Sequence, residues 1–295
     1  MQTAVMSKLF GEYSLDQACE LTVESGYDAI ELMGKAPHLG PETTKETATE
    51  LRAHLDELGL DVVGLATYTG YYANREKDDD ERHNELEALE HYCELAELLE
   101  CGLIRHNPGG PPEHRATETD YARAVEWLRR AADRATPLQI GVEIHPHSIV
   151  ETAATAVELF ERIDRDNVVA IHDAGNMYTS NASYGPDSLS TLGEWLGHCH
   201  VKDELQIADP NAYGSYSVER ADGETLFRSC LLGTGGTDQQ PLFDALCDRE
   251  YDGAITAECH LAATPTLDES AIASHERRAI EALWNGSTPH KSGRL

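Results

Sequence analysis

Short apolar segments alternate with longer amphipathic segments along almost the whole of this 295-residue chain. The apolar segments are rich in β-branched residues, as in DVVGLATY (61–68) and NVVAIHD (167–173), which is typical of buried strands. The longer segments, such as residues 118–135, have apolar residues at helical spacing. Strands that alternate with helices predict a parallel sheet of the α/β class.

Eight strand–helix units are present, and this number predicts a (β/α)₈ TIM barrel. The predicted strands are 3–10, 27–33, 61–68, 102–107, 139–145, 167–173, 197–203 and 253–259. The predicted helices are 15–25, 43–58, 80–99, 118–135, 152–163, 186–192, 240–249 and 267–284. A doubly wound open sheet is the alternative, but SKLFGEYS after the first strand is not the glycine-rich turn of that fold. We predict one barrel domain over 1–284 and a polar tail over 285–295.

The chain has 53 acidic residues against 23 lysines and arginines, a formal net charge of −30. The acidic residues are spread over amphipathic segments and do not form blocks, which argues against a disordered acidic tail. We interpret the excess as the surface of a protein from a halophile, where salt screens the repulsion between carboxylates. The charge also argues against nucleic acid as a partner, since DNA binding depends on cationic contacts to phosphate.

The cysteines and the N-terminus predict a cellular location. Seven cysteines without a CxxC pair are typical of buried thiols in a reducing compartment. The opening MQTAVMSKLF has no apolar core like that of a signal peptide, and no segment has the roughly 20 apolar residues of a membrane span. We therefore expect a cytoplasmic protein that makes no use of a membrane.

Acidic and imidazole side chains are concentrated where the last four predicted strands end, which is where such a barrel builds its active site. Glu143, Asp173 and His200 are separated by 30 and 27 residues, about one strand–helix unit each. Glu258 follows 58 residues later, which is one unit plus the long polar segment 204–238. The spacing predicts that these four side chains lie at the same height on neighbouring strands.

Three carboxylates that converge with one imidazole repel each other unless a cation lies between them. The predicted cofactor is therefore one divalent metal ion, and its predicted ligands are Glu143, Asp173, His200 and Glu258. A ligand set that is mostly oxygen favours Mn²⁺, with Mg²⁺, Co²⁺ and Zn²⁺ as alternatives. A purely structural role for these acidic residues is unfavourable, because an unpaired acid inside a buried strand is costly.

Strand parity sorts the other polar residues at the same strand ends. His145 is on the face of Glu143, and His198 is on the face of His200, so each is predicted to contact substrate or to support a ligand. The side chains of His172, Cys199 and Cys259 have the opposite parity and are predicted to point toward the helices.

Segments along nearly the whole chain resemble the xylose-isomerase-like barrels, the family of sugar phosphate isomerases and epimerases. The matching segments are YDAIEL (27–32), GVEIHP (141–146), HDAGNM (172–177), HVKD (200–203), LGTGGTDQQPLFDAL (232–246) and YDGAITAE (251–258). The resemblance implies the same four metal ligands that the spacing selects, and it implies a homo-oligomer. It covers ketose 3-epimerases, hydroxypyruvate isomerase, inosose dehydratase, 3-dehydroshikimate dehydratase and, more distantly, endonuclease IV.

The resemblance and the site together imply a divalent-metal-dependent isomerase or epimerase that acts on a small sugar or polyol-derived ketone. Glu143 and Glu258 would exchange the proton next to the carbonyl, through an enediolate intermediate. The predicted substrate-binding residues are His145, Asn176 and Lys202. Epimerases of the family commonly have histidine at the position of Asn176, and asparagine can bind a hydroxyl but cannot transfer a proton.

A dehydratase of the inosose or 3-dehydroshikimate type is the alternative, because it begins with the same proton removal and then expels a β-hydroxyl. A three-metal DNA-repair endonuclease would need more histidine ligands and a cationic groove, which the charge disfavours. A sugar-binding protein without activity is disfavoured by the intact acidic residues. Tyr68, Tyr71 and Tyr72 are candidates for walls of a sugar pocket. The glycine-rich GTGGTD (233–238) follows the seventh strand, where barrels often bind phosphate, so phosphorylated and unphosphorylated substrates both fit.

Overall fold

A computed structural model describes residues 1–70 and 78–287 of the chain. Its barrel strands are β1 (Gln2–Met6), β2 (Ala29–Gly34), β3 (Asp61–Gly70), β4 (Leu103–Asn107), β5 (Gln139–Glu143), β6 (Val168–Asp173), β7 (Leu196–Val201) and β11 (Ala254–Ala257). Each strand pairs in parallel with its neighbours in this order, and β11 pairs with β1 to close the barrel. The predicted (β/α)₈ barrel is confirmed.

The helices outside the barrel are α1 (Leu15–Glu24), α2 (Lys45–Leu58), α3 (Asp79–Leu98), α4 (Glu118–Ala135), α5 (Ala153–Ile163), α6 (Ala174–Thr179), α7 (Pro186–Leu192), α8 (Gln240–Asp248) and α9 (Glu269–Gly286). Polar side chains cap the N-termini of several helices. At the start of α1, for example, the side chain of Ser14 accepts a hydrogen bond from the backbone N–H of Gln17. Gly59 ends α2 in the left-handed conformation, with φ of 65°. None of the described helices is long and apolar enough to cross a membrane.

The barrel interior changes from apolar to polar along its axis. Leu103, Val169 and Ile171 form a small buried apolar group on the inward faces of β4 and β6. Gly141 leaves room for them, because a Cβ at that position would lie 2.8 Å from the Ile171 side chain. Two residues further along the same strands, charged side chains replace the apolar ones. The apolar group thus fills the barrel below the candidate site.

Two larger apolar clusters lie between the barrel and the helices. Cys199 and Cys259 belong to one of them, as their parity predicted. His172 also points outward, and its Nε2 lies 2.9 Å from the Ser188 hydroxyl on α7. These outward positions leave the inward side at the carboxyl ends of β6, β7 and β11 to the acidic and imidazole residues.

Residues 203–230 form a three-stranded antiparallel sheet, where the sequence indicated only a long polar segment. Its strands are β8 (Asp203–Gln206), β9 (Ser215–Arg220) and β10 (Gly223–Cys230), with β10 in the middle. Only one residue of β9, Val218, is buried, so the alternation of a half-buried strand is weak in the sequence. We call this unit the inserted sheet.

Some predicted boundaries need correction, and some predictions lie outside the described residues. The first strand ends at Met6 and not at residue 10, because 7–10 form a 3₁₀ turn. The short α6 was not predicted. Tyr71, Tyr72 and residues 288–295 of the predicted tail lie outside the described residues, and the division into barrel and tail stays a prediction.

Candidate active site

Glu143, Asp173, His200 and Glu258 lie together at the carboxyl ends of β5, β6, β7 and β11. Each offers one potential ligand atom, and these atoms all lie within 4.8 Å of one another. All four residues are buried, and Glu258, at 4 %, is the most exposed of them. The structure therefore brings together the four residues that the spacing selected. We call them the acidic cluster, and their role as metal ligands stays a prediction.

The imidazole of His200 is fixed by Glu31, a fully buried residue of β2. Its Nε2 lies 2.9 Å from a Glu31 carboxylate oxygen, and since a carboxylate only accepts, Nε2 carries the proton. The other nitrogen, Nδ1, lies 3.6 to 3.9 Å from oxygens of the three carboxylates in the acidic cluster. Nδ1 is buried and makes no hydrogen bond to the described residues. This unpaired nitrogen among carboxylates suits a metal ion, whose ligands are a neutral imidazole and anionic oxygens.

Charge explains why Glu31 and His200 stay together. Burial opposes the imidazolium, but the Glu31 and Glu143 carboxylates outweigh it and raise the pKa of His200 to about 10. A metal ion bound at Nδ1 would take the place of the second proton and leave the imidazole neutral. Burial also opposes the Glu31 carboxylate, yet His200 and His198 hold its pKa well below the usual range. His198 donates from Nε2 to the same Glu31 oxygen at 3.2 Å, and the Thr256 hydroxyl lies 2.9 Å from that nitrogen. His198 thus supports Glu31 inside the barrel.

Glu143 is paired with Arg105 of β4, which the sequence analysis did not select. The Arg105 Nε donates to Oε2 of Glu143 at 2.9 Å, and Nη2 donates to the same oxygen. The other oxygen, Oε1, accepts from the Asn176 side chain at 3.1 Å. Burial opposes the carboxylate, but the guanidinium prevails and lowers the pKa of Glu143 to about 2. Glu143 is therefore an anion.

Lys202 joins the acidic cluster from the residue that follows β7. Its ammonium lies 2.5 Å from Oε2 of Glu258 and 3.1 Å from Oδ2 of Asp173. Burial opposes the charge, but these two carboxylates keep the pKa of Lys202 well above its ordinary value. The side chain reaches them across Gly175, where a Cβ would lie 2.4 Å from the Lys202 stem. A glycine is therefore required at this point of α6.

Asp173 has two separate tasks. Its Oδ1 accepts a hydrogen bond of 2.8 Å from the backbone of Asn176 and so caps α6. Its Oδ2 faces Lys202 and His200. Burial raises the pKa of Asp173 to about 6, although Lys202 opposes the shift. The cap holds the carboxylate in one orientation toward the acidic cluster.

A cavity of about 410 Å³ opens beside the acidic cluster. Its volume is that of a small-molecule site. The three predicted substrate-binding residues, His145, Asn176 and Lys202, all line it. Tyr68, Arg105, Glu258, His260 and Lys8 line it as well, and the inserted sheet supplies Glu204, Tyr216, Val218 and Ser229. Glu143 is not among the lining residues, so Glu258 has the more direct access to a bound molecule.

His145 presents a hydrogen-bond acceptor to this cavity. Its Nδ1 lies 2.6 Å from the Pro146 carbonyl oxygen, which can only accept, so Nδ1 carries the proton. Burial lowers the pKa of His145 and keeps the imidazole neutral. Its Nε2 is then left to accept a hydrogen bond, for example from a substrate hydroxyl.

The glycine-rich loop of residues 233–238 encloses a carboxylate of the chain itself. The backbone N–H groups of Gly233 and Gly235 donate to Oδ2 of Asp203 at 2.9 and 2.8 Å, and that of Thr237 donates to Oδ1 at 2.9 Å. Successive backbone N–H groups of this kind form an anion site. Asp203 already fills it, so this loop gives no support to a phosphorylated substrate.

Arg105 and Glu31 are not identified from the sequence, because both lie on strands that precede the four strand ends where the acidic and imidazole residues are concentrated. Both are charged residues within apolar strands, YDAIELM (27–33) and GLIRHN (102–107). The cost of burying an unpaired charge, which argued against a purely structural role for the acidic residues, applies to them equally. That signal in the sequence could have identified both residues.

Comparison with known proteins gives one family and several distant relatives. The model of the family described as "Xylose isomerase-like TIM barrel" matches residues 19–283. The chain is 24% identical over 272 residues to inosose dehydratase of Lacticaseibacillus casei, a match that covers 86% of this chain and 84% of that protein. It is 22% identical over 226 residues to 3-dehydroshikimate dehydratase of Bacillus anthracis, over 74% of this chain and 78% of that protein.

Solved structures share the fold over almost the full length. The IolI protein with a bound zinc atom has a TM-score of 0.77 at 17% identity, over 98% of this chain and 99% of that chain. The probable 3-dehydroshikimate dehydratase AsbF of Bacillus anthracis has a TM-score of 0.75 at 18% identity, over 95% and 99%. An L-ribulose 3-epimerase has a TM-score of 0.75 at 18% identity, over 96% and 94%. Lyases and epimerases thus both share this fold.

Proposed function

Because this chain belongs to the xylose isomerase-like TIM barrel family, we propose that it is a metal-dependent enzyme that removes a proton next to the carbonyl group of a small polyhydroxylated substrate. The observation that carries the proposal is the acidic cluster, four buried side chains with potential ligand atoms within 4.8 Å of one another. It lies beside a cavity of about 410 Å³ at the carboxyl ends of the strands, where barrel enzymes act.

The proposed metal ligands are Glu143, Asp173, His200 and Glu258. The unpaired Nδ1 of His200 and the carboxylate oxygens around it support them. A divalent ion bound there supplies a Lewis acid that polarises the carbonyl and stabilises negative charge next to it. The oxygen-rich ligands favour Mn²⁺, with Mg²⁺, Co²⁺ and Zn²⁺ as alternatives.

Glu258 is the proposed base. It lines the cavity, whereas Glu143 is fully buried and paired with Arg105. Lys202 holds Glu258 in its anionic form, because its ammonium donates to Oε2 of that carboxylate. The same ammonium, which lines the cavity, would stabilise an oxygen anion on the substrate. His145 and Asn176 would orient the substrate by hydrogen bonds to its hydroxyl groups.

Dehydration is the outcome that we favour, with a polyol-derived ketone as substrate. An epimerase needs a second group that returns a proton to the opposite face of the carbon. Glu143 is the only predicted candidate, and here it is covered by Arg105 and by Asn176, which transfers no proton. Loss of a β-hydroxyl does not need that group. The similarity to dehydratases of two organisms supports the same outcome.

Isomerisation or epimerisation is the second candidate. It is supported by Glu143 itself, a second carboxylate in the same acidic cluster. Release of Glu143 from Arg105 when substrate binds would allow the proton exchange between Glu143 and Glu258 that the sequence predicted. The fold shared with L-ribulose 3-epimerase is compatible with it.

A panel of carbonyl substrates in D₂O tests the proposal. The Mn²⁺-loaded protein would be incubated with 2-keto-myo-inositol, 3-dehydroshikimate, L-ribulose and D-fructose, and the products followed by NMR and mass spectrometry. Dehydration gives an enone with the loss of one water, and isomerisation gives a product of unchanged composition with deuterium on carbon. EDTA-treated protein is the control. The absence of deuterium exchange and of water loss for every compound would contradict the proposal.

A further inference from the structure

Three consecutive residues after β7 point into three different environments. Lys202 reaches the acidic cluster, Asp203 fills the glycine-rich loop, and Glu204 lines the cavity. Since successive residues of an extended chain point to opposite sides, Lys202 and Glu204 share the side that faces the cavity. Glu204 is thus an acidic residue of the cavity that lies outside the acidic cluster.

Only one of the two carboxyl oxygens of Glu204 has a hydrogen-bond partner of ordinary geometry among the described residues. The residue is 1 % exposed. Its Oε1 accepts a hydrogen bond of 3.1 Å from the hydroxyl of Ser229, which lies directly opposite on β10. Its Oε2 is buried and makes no hydrogen bond of ordinary geometry to the described residues, although the Tyr216 hydroxyl is close enough to stabilise the carboxylate. A buried unpaired oxygen is costly, and the cost is greatest for a charged group. Glu204 itself belongs to a wall of the cavity, so a ligand bound there can become the partner of this oxygen after a small rotation of the carboxyl group.

The backbone around Glu204 is held firmly. Its N–H donates to the Thr237 hydroxyl at 3.3 Å, and its carbonyl accepts from the N–H of Gly236 at 2.8 Å. The glycine-rich loop comes so close that a Cβ at Gly235 would lie 3.0 Å from the Glu204 carbonyl oxygen. The loop therefore fixes the start of the inserted sheet, and with it the direction of the Glu204 side chain.

Burial raises the pKa of Glu204 to about 7. Lys202, Tyr216 and Ser229 oppose this shift, and Asp173 adds to it. A carboxyl group with such a pKa is protonated in a large fraction of molecules near neutral pH and can release its proton there. Those are the properties of a general acid, whose pKa is best placed near the working pH.

Other side chains of the cavity are poorer proton donors. His145 uses its Nδ1 proton on the Pro146 carbonyl, and burial keeps it neutral. Burial lowers the pKa of His260 to about 3. Lys202 is shared between two carboxylates that raise its pKa well above the ordinary value. Among these groups, Glu204 combines a free oxygen with a proton that it can give up.

We propose that Glu204 is the general acid that protonates the departing hydroxyl of the substrate, an inference that rests on the proposed dehydratase function. The C–H bond next to the carbonyl breaks and its proton passes to Glu258. The electron pair forms the carbon–carbon double bond, and the β-carbon–oxygen bond breaks. The oxygen takes the proton of the Glu204 carboxyl group and leaves as water. The Glu204 carboxylate then regains a proton from solvent, and Glu258 loses one to it, so that no oxidant or reductant is needed.

The test separates proton removal from loss of water. Glu204→Gln keeps the size and the Ser229 contact but cannot give up a proton, so dehydration should fall by roughly 10²- to 10⁴-fold. Deuterium exchange next to the carbonyl, measured by NMR with 2-keto-myo-inositol and 3-dehydroshikimate in D₂O, should continue because Glu258 is intact. Mn²⁺ affinity, measured by calorimetry, should stay within about twofold of wild type because Glu204 is not in the acidic cluster.

Glu276→Gln is the matched control. Glu276 is also a buried acid with an unpaired Oε2, but it bonds to the backbone of Leu232 and does not line the cavity. This variant should dehydrate at the wild-type rate. Equal dehydration by Glu204→Gln and wild type would overturn the role of Glu204. Wild type that exchanges deuterium but never loses water would also overturn it, while the proton-removal function would stand. Wild type that does neither would overturn the proposed function itself.

Discussion

The ammonium group of Lys202 lies 2.5 Å from a carboxylate oxygen of Glu258, and both residues are at least nine-tenths buried. They directly follow two neighbouring strands of the barrel, β7 and β11, and their ion pair holds the proposed base in its charged form. The contact also brings a cation to a group of carboxylates that would otherwise repel each other.

Loss of the Lys202 ammonium should lower the free energy of unfolding of the metal-free protein. Lys202→Met leaves Glu258 and Asp173 without their partner, and breaking a buried pair costs about 3–5 kcal/mol. Saturating Mn²⁺ should recover part of that loss, because a bound cation again compensates the carboxylates. Urea unfolding with EDTA and with Mn²⁺ measures both effects. The control is Lys45→Met, which breaks an exposed pair with Glu94 and should cost less than about 1 kcal/mol. Equal losses in the two variants would contradict the prediction.

Removal of the proposed base should abolish proton exchange. Glu258→Gln keeps the shape of the side chain but cannot accept a proton, so deuterium incorporation should fall by roughly 10²- to 10⁴-fold. Because Glu258 is also a proposed ligand, the rate should be measured at saturating Mn²⁺, after calorimetry has given the affinity. Wild-type exchange in this variant would exclude Glu258 as the base.

Glu31 should control metal affinity without touching the metal. It fixes the His200 ring through a bond of 2.9 Å to Nε2, and loss of such a partner typically costs 10- to 100-fold in affinity. We expect a loss in this range for Glu31→Gln, measured by Mn²⁺ titration calorimetry. Glu12→Gln, at an exposed position, is the control. An unchanged affinity in Glu31→Gln would show that His200 needs no such support.

Glu276 should make stability depend on pH. Burial raises its pKa to about 8, whereas the pKa in an unfolded chain is about 4.3. Between these values the native state holds one proton more, so stability falls as pH rises, by up to about 1.4 kcal/mol per pH unit. Glutamine cannot titrate, so Glu276→Gln should become more stable relative to wild type from about pH 5 to about pH 8. Urea unfolding across that range would show it, and parallel pH curves for the two proteins would contradict it.

The barrel was predictable because its signal is local and repeated. Each strand and helix shows its own periodicity, and a regular spacing places Asp173 and His200 at the same height. The inserted sheet gave no such signal, since every residue of β9 except Val218 is half-exposed, and the buried residues of β10 are confined to its last four positions. The short α6 was not predicted. Its N-cap is Asp173, a residue that the sequence pattern assigns to the preceding strand.

The partners of the acidic cluster were harder to predict than the cluster itself. Arg105 lies 38 residues from Glu143, and Glu31 lies 169 residues from His200, so only the closed barrel brings them together. Nothing in the local pattern says that Asp203 enters a glycine-rich loop and not a ligand site. The predicted homo-oligomer, cytoplasmic location, high-salt habitat and lack of a nucleic-acid partner stay predictions.

At residues 202–204, which join β7 to the inserted sheet, the number of residues matters more than their identity. Three consecutive side chains have three different partners. Lys202 contacts the acidic cluster, Asp203 binds the glycine-rich loop, and Glu204 lines the cavity. Deletion or insertion of one residue there would turn each side chain to the opposite side. Gain or loss of one residue would thus shift the inserted sheet relative to the barrel, whereas most residues of β9 are only half-buried and can be substituted at lower cost. Indels in this junction should therefore be tolerated far less than substitutions on the outer face of the sheet.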